Sequence, residues 1–306
     1  MDIHLLFWFA FIALFIIVFT IDMFVTDHRK GEIKVKTALL WSAVWISTAL
    51  LFSVAIYMFY PGGNQKAFEF ITGYIVEYSL SVDNLFVFIM IFSIMSVTQK
   101  NQPRILKWGI LGAVFFRVAF ILAGVGLIHT FHFMIYVFGG ILVFTAYKMI
   151  TSKDESIEPE HNFFVKLARK FFNIKADGNT DHFFVKEDGK LFATVAFITL
   201  VLIESTDIIF AVDSIPAVLA ITQDSFTAIT SNLFAILGLR SLFFALAGIL
   251  NLFRFLKYGI SFILLFIGIK MLISGWYVIP IQASLIFIIA ILAFSVIMSI
   301  VIKEKN

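Results

Sequence analysis

The sequence predicts an all-α, polytopic transmembrane helix bundle of about nine spans, built around two inverted three-helix repeats. Hydrophobic residues make up 61% of the 306 residues and charged residues only 14%, whereas soluble domains are roughly 45–50% apolar. Apolar segments long enough to cross a bilayer, about 20 residues each, recur along the whole chain. Two of these segments carry related acidic motifs. Lipid is therefore the expected solvent.

Nine apolar segments can be laid out in order along the chain. They cover residues 4–25, 37–60, 67–97, 105–128, 131–150, 191–221, 231–253, 257–276 and 280–302. The first has no basic residue before it and is longer than the apolar core of a signal peptide, so it is expected to span the membrane. The third and sixth are too long for one straight crossing. We expect these two helices to be broken.

Basic residues indicate the orientation of the chain. Four Lys or Arg follow the first segment, three follow the third, seven lie in 151–190, two follow the seventh and two lie in the tail. In the opposite connections only Lys66 is basic. Because Lys and Arg accumulate on the cytoplasmic side, the N-terminus is expected outside and the C-terminus in the cytoplasm. A bacterial inner membrane fits this pattern.

The only sizeable polar connection, 151–190, is expected to be a solvated cytoplasmic loop. Within it, 163–173 has the pattern of an amphipathic helix on the membrane face, and the residues around Asp188-Gly189 alternate as in a β-hairpin. The predicted organisation is an N-terminal two-helix segment, a first repeat, this loop, a second repeat and a C-terminal helix, at 1–66, 67–150, 151–190, 191–276 and 277–306.

The repeat is visible in the third and sixth segments. Residues 77–84, from Glu77 to Asp83-Asn84, align with 207–214, from Asp207 to Asp213-Ser214. Farther along, Arg117 aligns with Arg240 and Lys148 with Lys270. Each repeat contains three spans, and an odd number of spans inverts the second copy. Many secondary transporters are built in this way, with the site near the midplane between the halves.

Charged residues inside the apolar segments mark the candidate site. Five are acidic and two are basic: Glu77, Asp83, Glu204, Asp207, Asp213, Arg117 and Arg240. A charge at the bilayer centre costs roughly 2.5–3.5 kcal/mol on insertion scales, so these groups must face one another, a cavity or an ion. We expect both arginines to pair with the acids. Two further acids near segment ends, Asp22 and Glu69, are expected to be solvated.

Acid spacing predicts a local break in the sixth segment. Asp207 and Asp213 are six residues apart, which is about 120° around a regular helix, so an unbroken helix would not direct both at one point. Pro216 supplies a cause, since it has no N–H for the carbonyl of Val212. That backbone carbonyl is a candidate ligand beside Asp213. Residue 86 is Phe rather than Pro, so the matching argument for the third segment is weaker.

Oxygen ligands without thiols favour a hard cation. The chain contains no cysteine, and carboxylate, amide and carbonyl oxygens suit Mn²⁺, Mg²⁺ or Ca²⁺. Crowded carboxylates titrate together, so exchange of the metal for protons is compatible with the site. Nucleic-acid binding is not expected, because no basic stretch is interleaved with exposed aromatic residues.

These two motifs resemble the signatures of the TerC family. So do residues 231–240, which end in Gly-Leu-Arg, and 183–189, and the resemblance extends over nearly the whole chain. It implies an integral membrane protein of the lysine-exporter-like superfamily, associated with manganese export, metal homeostasis and tellurite resistance. Length and central loop look closest to the Alx-like, pH-responsive branch. The acidic motif positions carried over from the family are Glu77, Asp83, Asn84, Glu204, Asp207, Asp213 and Ser214.

Export of Mn²⁺ is therefore the leading hypothesis, with membrane lipids as partners and no enzymatic activity expected. One alternative is a non-transporting membrane scaffold that supplies metal to secreted proteins through the 151–190 loop, with secretion-related proteins as partners. A second is an intramembrane aspartyl protease, disfavoured because five acids rather than a pair are present. A third is an amino-acid exporter, disfavoured because a zwitterion needs fewer clustered acids. Selectivity, direction, coupling ion and oligomeric state stay open at this point.

Overall fold

A computed structural model describes residues 3–22, 35–151, 162–174, 182–187, 190–247 and 255–301, apart from the side chains of Asp83 and Phe86. Within these ranges the chain forms eleven helices and one small sheet. The helices are α1 Ile3–Thr20, α2 Val35–Phe59, α3 Gly63–Ile94, α4 Gln102–Thr130, α5 Met134–Thr151, α6 Phe163–Phe171, α7 Val195–Leu219, α8 Ser225–Leu237, α9 Leu239–Ala247, α10 Leu256–Leu272 and α11 Ile281–Val301. The strands are β1 Asn173–Ile174, β2 Phe184–Glu187 and β3 Lys190–Ala193.

Seven of the described helices are long and apolar enough to cross a membrane: α1, α2, α3, α4, α5, α7 and α11. The bent pair formed by α8 and α9 raises this number to eight if it is one span. α10, which covers most of the predicted span at 257–276, has 17 residues. The protein is thus an all-α, multi-pass membrane protein, and the ninth span stays a prediction.

The predicted breaks in the third and sixth segments are wrong. α3 is one helix of 32 residues, and α7 continues through Pro216 to Leu219. Pro216 lies in the last turn of α7, where its missing N–H removes a single helical bond close to the helix end. The interruption occurs instead at Gly238, where α8 and α9 meet at 41°.

The two motif-bearing helices lie inside the bundle. Over an apolar stretch of 18 residues, 69% of the residues are buried in α3 and 44% in α7, compared with 17% in α1 and in α5. The exposed apolar side chains of α1 and α5 face the surroundings. α4 packs along α7, α8 packs along α3, and α5 packs along α10. Residues half-way along α3, α4 and α7 are thereby held next to one another, away from lipid.

The polar loop contains both predicted elements. α6 begins at the cap Asn162, whose side chain accepts hydrogen bonds from the N–H groups of Phe164 and Val165, and it packs on α7. β2 and β3 pair antiparallel with Glu187 opposite Lys190, which confirms the hairpin, although its turn at 188–189 lies outside the described residues. β1 adds to β3 in parallel.

Candidate functional site

A fully buried arginine joins acids from the two motif helices. The side chain of Arg117, half-way along α4, has no exposed surface. Its guanidinium forms an ion pair with Glu77 of α3, and its Nη2 lies 3.1 Å from Oδ1 of Asp207 in α7. Nε lies 3.4 Å from the other oxygen of Asp207. The predicted pairing of Arg117 with the intramembrane acids is confirmed.

Polar neighbours complete this ion-pair cluster. Oε2 of Glu77 accepts a hydrogen bond of 2.8 Å from the amide of Asn232 in α8, and Oε1 accepts one of 3.2 Å from Ser81. The hydroxyl of Ser214 lies 3.4 Å from Nη1 of Arg117. Asn232 and Ser81 were not among the site residues expected from the sequence, which were the charged residues inside apolar segments and the positions of the two acidic motifs. The four-residue spacing of Glu77 and Ser81 was an available signal.

Two carboxylates around one guanidinium leave a formal surplus of one negative charge. A buried ion pair is stabilising only when its remaining lone pairs are satisfied, and Asn232 and Ser81 do this for Glu77. The surplus nevertheless favours the approach of a further cation. Asn84, also expected at the site, is buried one turn beyond Ser81 in α3.

Glu204 lies one turn from Asp207 on α7, and its carboxylate packs against α4. A Cβ atom added to Gly112 would overlap this carboxylate, so the glycine makes room for it. Within the described part of the chain, Oε2 of Glu204 is buried and has no hydrogen-bond partner. A buried polar atom without a partner is destabilising by about 1–3 kcal/mol. This oxygen is therefore available as a ligand.

Asp213 does not join Arg117. Its Oδ1 accepts a hydrogen bond of 2.6 Å from Thr145 in α5, and the Lys148 ammonium acts on it electrostatically. The side chain of its aligned partner, Asp83, lies outside the described residues. Val212, the proposed carbonyl ligand, presents a side chain that is 55% exposed, and the unwound backbone expected around it is not formed.

The acids whose side chains are described accordingly do not meet in a single pocket. Among the described side chains, no three His, Asp or Glu residues lie close enough to hold one ion. The continuous α7 separates Asp213 from Asp207 around the helix, and Arg117 holds the carboxylates that do converge.

Arg240 has an acidic partner that was not expected at the site. Its Nε lies 3.4 Å from Oδ2 of Asp22, just after α1, and its side chain also lines the small cavity that adjoins Asp207. Asp22 is 1% exposed and Glu69 5% exposed, so the expectation that both are solvated is wrong. Both lie near helix ends in the sequence, but neighbouring helices cover them.

Comparison with known proteins gives one family. Residues 62–306 match the model of the integral membrane protein TerC family. The membrane protein STKORF319 of Myxococcus xanthus is 42% identical over 299 residues, 98% of this chain and 93% of that protein. Alx of Escherichia coli strain K12, named as a proposed membrane-bound redox modulator, is 41% identical over 308 residues, 98% of this chain and 96% of its own.

Alx of Salmonella typhi is 40% identical over the same share of both chains. No solved structure matches. The family match covers well over half of the chain, including both acidic motifs and both buried arginines. The chain therefore belongs to the TerC family of integral membrane proteins.

Proposed function

We propose that this protein is an inner-membrane transporter of divalent metal ions that exports Mn²⁺ through a carboxylate site at mid-depth. The observation that carries the proposal is the meeting of Glu77 and Asp207, which occupy aligned positions in two motifs, at one buried guanidinium. An intramembrane ionisable cluster is by default a functional site. The orientation has the N-terminus outside and the C-terminus in the cytoplasm.

Helix packing supports an arrangement in two inverted halves. α4 follows α3 and packs on α7, while α8 follows α7 and packs on α3; the third helices of the two halves, α5 and α10, pack on each other. Exchanging the halves preserves this pattern of contacts. Alternating access then corresponds to rocking of one half against the other around the central acids.

In this proposal Arg117 is the internal counter-ion of the two carboxylates before a metal ion binds. Its guanidinium balances the negative charge of Glu77 and Asp207. A divalent cation, which carries twice the charge of the guanidinium, then replaces it and coordinates the carboxylate oxygens. A cavity of about 20 Å³, room for about one water molecule, adjoins Asp207 on the side of the basic loops and is lined by Gly109 and Ile203. Together with the unpaired oxygen of Glu204, it marks the cytoplasmic approach to the site.

The ligand set of the proposal is Glu77, Asp83, Asn84, Glu204, Asp207, Asp213 and Ser214, with Arg117 in support. All of these ligands offer oxygen, which suits Mn²⁺ and also Mg²⁺ or Ca²⁺. Asp83 and Asp213 would have to approach the centre in the metal-bound state. Protons released or taken up by crowded carboxylates could drive the exchange.

A test of the proposal is metal-by-metal uptake into proteoliposomes at several pH values. Proteoliposomes that contain the purified protein should take up Mn²⁺ faster than protein-free liposomes. Asp83→Asn or Asp213→Asn should abolish this difference in uptake rate. An imposed pH gradient should accelerate uptake if protons are exchanged. Equal Mn²⁺ uptake by the wild type and by both neutralised variants would contradict the site assignment.

Gly112→Ala provides a second prediction with little effect on folding. The added methyl group displaces the Glu204 carboxylate, which is the flexible end of a side chain, while alanine gains about 1 kcal/mol in helix propensity over glycine. We expect nearly unchanged thermal stability but Mn²⁺ transport reduced about tenfold, equivalent to about 1.4 kcal/mol. Gly126→Ala in the same helix, where nothing lies within 4 Å of the added atom, is the matched control. Equal transport by the two variants would remove Glu204 from the pathway.

A second candidate function is a membrane scaffold that hands metal to secreted proteins. It is favoured by apolar side chains left exposed on the loop elements: Phe171 is 71% and Leu191 54% exposed. Deleting residues 184–193 separates the two functions, because transport should survive the deletion and partner binding should not. The name of the relative Alx refers to redox modulation. Because this chain has no cysteine, we propose that any redox effect of this protein results from a change in the concentration of the transported metal.

A further inference from the structure

A polar face of α3 extends beyond the central site toward the end of the bundle that lacks basic loops. Glu69, Gly73, Glu77 and Ser81 recur every four residues and so lie along one side of the helix. Glu69 is 5% exposed, and Glu77 and Ser81 are fully buried. Apolar residues would fill such a face in a helix that only packs against its neighbours.

The facing helix, α8, is also polar where it is most deeply buried. Thr227, Thr230, Ser231 and Asn232 all have 0% exposure. The hydroxyls of Thr230 and Ser231 donate to carbonyls of their own helix, Phe226 at 2.8 Å and Ala228 at 3.2 Å. Their oxygen lone pairs are left to accept from, or coordinate, a third group.

The two polar faces approach each other closely at Gly73. A Cβ atom at this position would lie 2.9 Å from Oγ of Ser231, closer than real Cβ contacts occur. A glycine here leaves the hydroxyl facing bare backbone, and any larger residue would close this point of the interface.

The polar interface between α3 and α8 has a buried carboxylate at each end, Glu77 at the inner end and Glu69 at the outer end. At the inner end the amide of Asn232 donates to Glu77, while its buried Oδ1 has no hydrogen-bond partner in the described part of the chain. At the outer end Glu69 accepts hydrogen bonds from Thr222 at 2.6 Å and Lys66 at 2.9 Å. Glu69 also lines an open cavity of about 560 Å³, together with Lys270.

We propose that the interface between α3 and α8 is the path by which the divalent cation leaves the central carboxylates, and that Glu69 is an outer binding station from which it is released. The inference rests on the proposed function. Asn232 Oδ1 and the hydroxyls of Ser231 and Thr230 supply neutral oxygens between two carboxylates. Neutral oxygens let a cation pass without being held, as conduction requires.

The lysines beside Glu69 make the outer station weak. The Lys66 ammonium already pairs with the carboxylate, so an arriving cation must compete with it and is readily displaced. The hydrogen bond from Thr222 also joins the start of α3 to the segment after α7, and it closes the path at this end. Binding of a cation by Glu69 breaks this bond and opens the exit.

Single cysteines test the path in the whole 306-residue chain, which contains no cysteine of its own. Ser231→Cys in proteoliposomes is treated with a small, cationic, membrane-impermeant thiol reagent on the side of the 560 Å³ cavity, with and without Mn²⁺. Ser261→Cys in α10, also with 0% exposure, is the matched control. We expect Ser231→Cys to react at least about tenfold faster than the control and to be slowed by Mn²⁺.

A second variant tests Glu69 itself. Glu69→Gln removes the charge that binds the cation, and we expect Mn²⁺ export to slow about tenfold while Mn²⁺ still protects Ser231→Cys. Glu187→Gln, on the loop strand β2, should change neither property. Equal reaction of the two cysteines, or export unaffected by Glu69→Gln, would overturn the proposal even if the protein transports Mn²⁺. A protein that moves no metal would refute the proposed function and the path together, whereas Mn²⁺ transport with equal reaction of the two cysteines would refute the path alone.

Discussion

Replacing Arg117 with methionine should lower the free energy of unfolding by about 3–5 kcal/mol, the usual result of removing one partner from a buried ion pair. The guanidinium is the shared partner of Glu77 and Asp207 and has no exposed surface. Without it, two carboxylates face each other in a medium of low dielectric constant. Thermal unfolding of the detergent-solubilised protein, and the yield of monodisperse material, measure the effect.

Arg104→Met is the matched control for this variant. Arg104 belongs to the same helix, but its side chain is exposed and lies over the ring of Phe183 at 5.5 Å, a contact worth about 0.5–1 kcal/mol. Adding Glu77→Gln and Asp207→Asn to Arg117→Met should recover most of the lost stability, since the unpaired charges are then gone. Equal losses for Arg117→Met and Arg104→Met, or no recovery in the triple variant, would show that the ion-pair cluster does not stabilise the fold.

Neutralising the central acids should abolish transport while leaving the protein folded. For Glu77→Gln and Asp207→Asn we expect Mn²⁺ transport to fall by about 100-fold or more, because loss of a residue that merely supports a metal ligand already costs 10–100-fold. Each single variant leaves Arg117 with one carboxylate partner, so the ion-pair cluster persists. Uptake into proteoliposomes and Mn²⁺-dependent thermal stabilisation are the two measurements.

Glu187→Gln in β2 serves as the control for charge removal and should match the wild type in both measurements. If Mn²⁺ still raises the thermal stability of a variant that no longer takes up Mn²⁺, the residue replaced in it, Glu77 or Asp207, acts in a transport step after binding. Unchanged uptake by both neutralised variants would refute the carboxylate site.

Much of the site follows from residue type and position along the chain. Glu77, Asp207 and Arg117 are charged and lie far from the ends of apolar segments, so the cost of exposing them to lipid predicts that they meet, and they do. The hairpin at 184–193 and the amphipathic α6 follow from local periodicity and turn residues and are likewise present. Local sequence pattern suffices for the hairpin and for α6, because their energies depend mainly on residues that are close together in the chain.

Other features depended on which helices are neighbours. Asp22 and Glu69 look solvated from their places near segment ends, but α1 and α3 bring them against Arg240 and Thr222. Pro216 suggests a broken helix, yet α7 continues through it to Leu219, because the proline lies in the last turn. Sequence separation carries no information on these contacts.

The amino-acid sequence by itself determined that this is a multi-pass membrane protein with acids carried on repeated motifs, because hydropathy and the cost of buried charge are properties of individual residues. Only the tertiary structure decided how the acids divide: Glu77 and Asp207 at Arg117, Asp213 at Thr145, and Glu69 in a cavity of its own. That division depends on the rotation of each helix about its axis, which is set by side-chain packing between helices distant in sequence.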